Sequence, residues 1–206
     1  MVYGKERLPM SETVYCRIIV LTIAIVTMLV RLLGDRHQAT RFIHDKDPRS
    51  DRLSVIAYAG LFVWCVQLLG RDPFAFVVPA TLVPQINLAA IITALMASVL
   101  ITWPRFMKER RRVWSGPFTP IKDIPGHRLI TWGPYRFIRH PFYAGMLLGA
   151  LAIQLTCLSW VTVAMFALLV PFHFGLNAEE DRMKSVYGPE YANYKTRTWR
   201  LLPPIY

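Results

Sequence analysis

Gly133-Pro134-Tyr135-Arg136-Phe137-Ile138-Arg139-His140-Pro141-Phe142-Tyr143-Ala144-Gly145 joins a basic segment to an apolar one. Residues 146–174 that follow are almost all apolar, and the next polar cluster is Glu179-Glu180. Residues 142–174 exceed one membrane span: as a single helix they would run about 50 Å, against a hydrocarbon core of about 30 Å. A break near residues 156–159 makes two shorter helices. That hairpin returns Glu179-Glu180 to the membrane face holding Arg139 and His140. Polar groups far apart in sequence then converge at one bilayer surface, which describes a site as well as an anchor.

The rest of the chain fits this reading. Of 206 residues, 54% are hydrophobic, too many for an ordinary soluble domain of this size. Further apolar runs at 14–33, 53–69 and 86–103 bring the expected total to about five spans. The first run lacks a small-x-small cleavage site and reads as a retained span. The expected fold is an all-α membrane protein, its site formed by the last helical hairpin and the carboxyl-terminal tail. Residues 1–104 hold three spans and their loops. Residues 105–206 hold a basic loop, the hairpin and the tail, all within one structural unit.

The formal charge is +11, and the charges flank the spans instead of forming a separate basic domain. This favours anionic lipids at the basic loop over nucleic acid. Arg105, Lys108, Arg110, Arg111, Arg112, Lys122, Arg128, Arg136 and Arg139 are opposed only by Glu109 and Asp123 in that loop. The positive-inside rule places the loop in the cytoplasm, with the amino terminus outside and the carboxyl terminus inside. Cys16, Cys65 and Cys157 form no C-x-x-C pair and read as small buried residues, so neither a disulfide framework nor a metal site is expected.

Within the hairpin, Pro141 suits a first helical turn, whose amides, with Arg139 and His140, make an anion site. The alternative is a snorkelling arginine and an interfacial histidine. Glu180 shares a helical face with Asn177 and His173, which marks it as the inward carboxylate, although a solvated helix end is also consistent. Tyr135 and Tyr143 suit either a ligand or the interfacial aromatic belt. Gly133 and Gly145 permit close backbone approach. His173 is an ionisable residue within a span.

Gly133-Pro134-Tyr135, Arg139-His140-Pro141-x-Tyr143-x-Gly145, Glu179-Glu180 and Tyr187-Gly188-x-x-Tyr191-x-x-Tyr194, closing at Pro203, resemble the integral-membrane methyltransferases. These include isoprenylcysteine carboxyl methyltransferase and phospholipid N-methyltransferase. The resemblance covers roughly residues 110–204. It implies S-adenosylmethionine as methyl donor, taken from the cytoplasm, and a lipophilic acceptor entering from the bilayer. It implies a tail lying over the site; Arg197 there suits an anionic headgroup or a substrate carboxylate and Trp114 the entrance, with anchoring at the membrane surface the alternative for both. The residues then expected at the reaction are Arg139, His140, Glu180 and Arg197. Those expected to hold the donor are Gly133, Tyr135, His140, Pro141, Tyr143, Gly145, Glu179 and Glu180.

Two other classes compete. Membrane sterol and steroid reductases, which use NADPH, carry a similar Arg-His-Pro-x-Tyr segment. They usually have Asn where this chain has Phe142, and Glu where it has Met146, so methyl transfer is favoured. A non-catalytic membrane scaffold would give Glu180 and His140 no special role.

Overall fold

The computed structural model describes residues 10–39, 78–106, 128–160, 169–201 and 203. The expected span at 53–69, most of the basic loop with Trp114, and the His173 side chain lie outside the described residues. The described part is helical: α1 (Met10–Ala39), α2 (Val83–Phe106), α3 (Pro141–Cys157) and α4 (Leu169–Thr196), with 3-10 turns at Ala80–Leu82 and Gly133–Arg136. Among the described residues there is no strand, only an isolated parallel bridge between Ile138 and Trp199.

α1 and α2 are long and apolar enough to cross a membrane, through Thr13–Val30 and Ala80–Pro104. Only 17% of each window is buried by the described protein, unlike the core helix of a soluble domain. Ile18, Val26 and Leu29 of α1, and Leu88, Leu95 and Val99 of α2, are exposed. Apolar side chains all round a helix suit lipid. α3 is equally apolar but has 17 residues.

Small residues set the spacing where these helices meet. Cys16 and Val20 of α1, Ala90 and Ala94 of α2, and Ala152, Ile153 and Cys157 of α3 form one buried cluster. A Cβ on Gly145 of α3 would lie 3.0 Å from the Ala97 carbonyl and 3.1 Å from the Ile101 nitrogen of α2. Only glycine lets the backbones approach this closely. Thr27 Oγ1 of α1 pairs with Ser98 Oγ of α2 at 2.8 Å, and also bonds the Ile23 carbonyl at 2.7 Å, so its polar oxygen is satisfied within the seam.

α3 ends where a break was expected. Leu158 adopts a left-handed conformation (φ 48°), and its N–H donates to the Gln154 carbonyl at 2.7 Å. α4 is two helical arms. Gly188 (φ 51°, ψ −124°) interrupts them, and Pro189 opens the second arm. The kink folds Tyr191 and Tyr194 back against Leu129, with Met183 and Tyr187 packed alongside.

Candidate functional site

The site begins with the extended residues just before α3. The Arg139 N–H donates to the Trp199 carbonyl at 2.8 Å, the His140 N–H to the Arg200 carbonyl at 3.2 Å, and the Trp199 N–H to the Phe137 carbonyl at 2.9 Å. This pairing lays the tail as a strap along residues 137–140. It also engages the His140 amide, one of the backbone groups near the start of α3 where an anion was expected.

Arg139 reinforces the strap. Its Nη1 donates to the carbonyls of Lys195, at 3.2 Å, and Thr198. Its Nε donates to Glu180 Oε1 at 3.1 Å. The guanidinium is thereby fixed between α4 and the strap. A second clasp lies below: Tyr194 donates its hydroxyl proton to the Tyr135 carbonyl at 2.7 Å. That carbonyl belongs to the 3-10 turn opened by Gly133, whose φ of 63° is a glycine conformation.

Glu180 is the hub. Oε1 lies 3.1 Å from Arg139 Nε, 3.3 Å from His140 Nε2 and 3.2 Å from Arg200 Nε. Oε2 accepts from Lys195 Nζ at 2.7 Å. Burial by itself would raise the Glu180 carboxyl pKa. The bonds from His140, Lys195 and Arg139, with the Arg139 charge, outweigh burial and hold it well below the usual carboxylate range. Glu180 is therefore a permanent anion, and its side chain is only 6% exposed.

Glu179 faces another direction, as adjacent residues on a helix must. It is 28% exposed, accepts from the Tyr143 hydroxyl at 3.0 Å, and lies 3.7 Å from His140 Nδ1. His140 thus sits between the two carboxylates, its ring edge-on to Tyr143 with centroids 5.7 Å apart.

The structure brings Arg139, His140, Tyr143, Glu179 and Glu180 together, and it gives the inward place to Glu180. It sets Gly145 against α2, where it fixes helix packing. Arg197 is exposed and does not join the hub. Arg200 and Lys195 do. Arg200 also donates to Asn177 Oδ1, tying the strap to the polar face of α4. Sequence reasoning did not select these two cations. The punctuation Gly188-Pro189 was the available signal, because it resets the helical phase between Glu180 and the tail.

Beside the hub, in the elbow of α4, lies a cleft of about 390 Å³ lined by Glu180, Asp181, Lys184, Tyr191, Ala192, Lys195 and Thr196. This is within the range of small-ligand sites, about 300–1,000 Å³. The buried Tyr191 hydroxyl has no hydrogen-bond partner among the described residues. Burial, then the charge of Glu180, raises its phenol pKa, so it remains a proton donor. Among the described residues no cluster of His, Cys, Asp and Glu is arranged to hold a metal.

Residues 90–185, which include most of this constellation, match the model of the isoprenylcysteine carboxyl methyltransferase (ICMT) family. Over that segment the chain is similar to this family. The protein-S-isoprenylcysteine O-methyltransferase of Schizosaccharomyces pombe is 27% identical over 146 residues, 67% of this chain and 62% of that protein. Protein-S-isoprenylcysteine O-methyltransferase B of Arabidopsis thaliana is 32% identical over 79 residues, 37% of this chain and 40% of that protein. The cobalt-zinc-cadmium resistance protein CzcN of Cupriavidus metallidurans is 32% identical over 95 residues, 46% of this chain and 43% of that protein. The chain thus spans about two fifths to three fifths of these relatives. Lys195 and Arg200 lie beyond the segment that the family model matches.

Proposed function

We propose that this protein is a multi-pass membrane methyltransferase that uses S-adenosylmethionine and acts on a lipophilic acceptor. The observation that carries this reading is the convergence on Glu180, from both sides of the α3–α4 hairpin, within the family's matched segment. The donor has an ammonium, a carboxylate, a ribose diol and an adenine. The residues suit these groups: Glu179 and Glu180 offer carboxylates, the strap offers cations, and Tyr191 offers a buried hydroxyl beside a cleft of ligand size. His140, Tyr143, Glu179 and Glu180 would hold the donor, with Tyr135, Gly133 and Pro141 shaping the approach.

When bound, the donor supplies an electrophilic methyl group, displaced in line with loss of a neutral thioether. The chain's own contribution is orientation and exclusion of water, the terms that govern such a transfer. Arg139 and Arg200 keep Glu180 ionised and fixed. His140, between two carboxylates, is placed to take a proton from an amine acceptor, whereas a carboxylate acceptor needs no base. The family and the named relatives favour a carboxylate on a lipidated cysteine, whose prenyl chain would lie in the bilayer. Five spans, with the basic loop, hub and tail on the cytoplasmic side and anionic lipid at the loop, complete the reading.

Isothermal titration of the detergent-solubilised protein with S-adenosylhomocysteine and, separately, NADPH tests it. Binding of the former and not the latter is expected. NADPH binding alone would transfer the protein to the reductase class. Binding of neither would leave a scaffold role.

A further inference from the structure

The four cationic or potentially cationic groups around Glu180 are not equivalent. Arg139, His140 and Arg200 all approach Oε1 and have side chains 8%, 5% and 11% exposed. Among the described residues Lys195 alone takes Oε2, at 2.7 Å, and its side chain is 52% exposed. Lys195 and Glu180 both line the cleft in the elbow of α4, with Tyr191 between the arms. The three buried groups hold the carboxylate in place. The half-exposed ammonium covers the other oxygen.

We infer that Lys195 is an internal stand-in for the ammonium of the cofactor, covering Glu180 Oε2 until a ligand ammonium displaces it. This rests on the methyl-donor reading and adds a residue that sets how tightly the amino-acid head is held. Three considerations converge. Lys195 presents the same chemistry as the ligand group, a primary ammonium offering N–H donors. It sits on a flexible, half-exposed stem, so its ammonium can swing into water as a ligand ammonium takes its place on Oε2. A buried carboxylate with one uncovered oxygen would be costly, so a removable internal partner is the arrangement that keeps the hub stable and still receptive.

The consequence is opposite to that of an ordinary binding residue: removing Lys195 should tighten ligand binding. Titration calorimetry on the full-length chain in micelles tests this with two probes. S-adenosylhomocysteine carries the amino-acid head, and methylthioadenosine keeps the thioether and adenosine but lacks that head. We expect Lys195→Gln to bind S-adenosylhomocysteine about fivefold more tightly, the loss of one exposed competing pair. Affinity for methylthioadenosine should not change, and Lys195→Arg should resemble wild type. Lys195→Met keeps the aliphatic stem and should repeat the Gln result. Unchanged or weakened S-adenosylhomocysteine binding in the Gln and Met variants would overturn the inference, the weakening assigning Lys195 to the ligand carboxylate. An equal gain for both probes would overturn it as well, since the effect would then not involve the ammonium. If wild type binds neither probe, the methyl-donor reading itself fails, and this inference with it.

Discussion

The α1–α2 seam and the Glu180 hub solve the same problem, the burial of polar atoms, by opposite means. In the seam, hydroxyls pair locally: Thr27 reaches Ser98 and its own helix, and apolar side chains face outward around them. In the hub, full charges are drawn from the residue before the α3 cap, from α4 and from the strap onto one carboxylate. A seam built from small neutral groups tolerates the loss of one contact. A hub of buried charges does not, because each survivor is left uncompensated.

The widest separation between the two regions should come from Glu180→Gln. Removing this charge leaves Arg139 and Arg200 buried beside a neutral amide, and about 3–5 kcal/mol of stability should go. Thermal and denaturant unfolding in detergent would measure it. The same variant tests the pH dependence. The folded-state pKa of Glu180 lies below that of an unfolded glutamate, about 4.3, so its stabilisation is complete above that value. It is lost as pH falls from there towards the folded-state pKa. Wild type should therefore weaken on acidification below about pH 4.5, with part of that slope absent from Glu180→Gln.

Next comes the steric contact between α2 and α3. Gly145→Val should destabilise by about 1–3 kcal/mol, because the new side chain meets backbone that cannot move aside locally. If its melting temperature matches wild type, the close approach of the two helices is wrong. Tyr194→Phe removes one hydrogen bond to the Tyr135 carbonyl and should cost about 1 kcal/mol. A faster cleavage of the tail by added protease would mark the loosened strap. The smallest effect belongs to the seam: Thr27→Val should cost only about 0.6 kcal/mol. Should it rival Glu180→Gln, the contrast between the two regions collapses.

The hairpin was legible because its evidence is compositional. A long apolar run between two polar clusters must fold back in a bilayer, and that alone brings Glu179-Glu180 to Arg139-His140. The inward choice of Glu180 followed from its helical face with Asn177, and Arg200 joins these same two residues. The tail was less legible because two changes of geometry intervene. Gly188 breaks the helical count, and residues 199–200 run extended against 137–140. Counting at 3.6 residues per turn cannot carry a side chain through both, so the meeting of Lys195 and Arg200 with the Glu180 carboxylate was not legible. Gly145 was grouped with the expected donor site because its motif neighbours were. A glycine in such a motif marks close approach without saying what approaches, and here it is the α2 backbone.

The convergence of several segments on one carboxylate has an evolutionary reading. Arg139, His140, Lys195 and Arg200 share a single partner, so substitutions among them cannot act independently. The loss of one cation changes the field felt by every other, and the effect of a second replacement depends on the first. Divergent forms of this protein should therefore exchange these residues as a correlated set, and swapping a single one between two such forms should be more damaging than swapping the whole group.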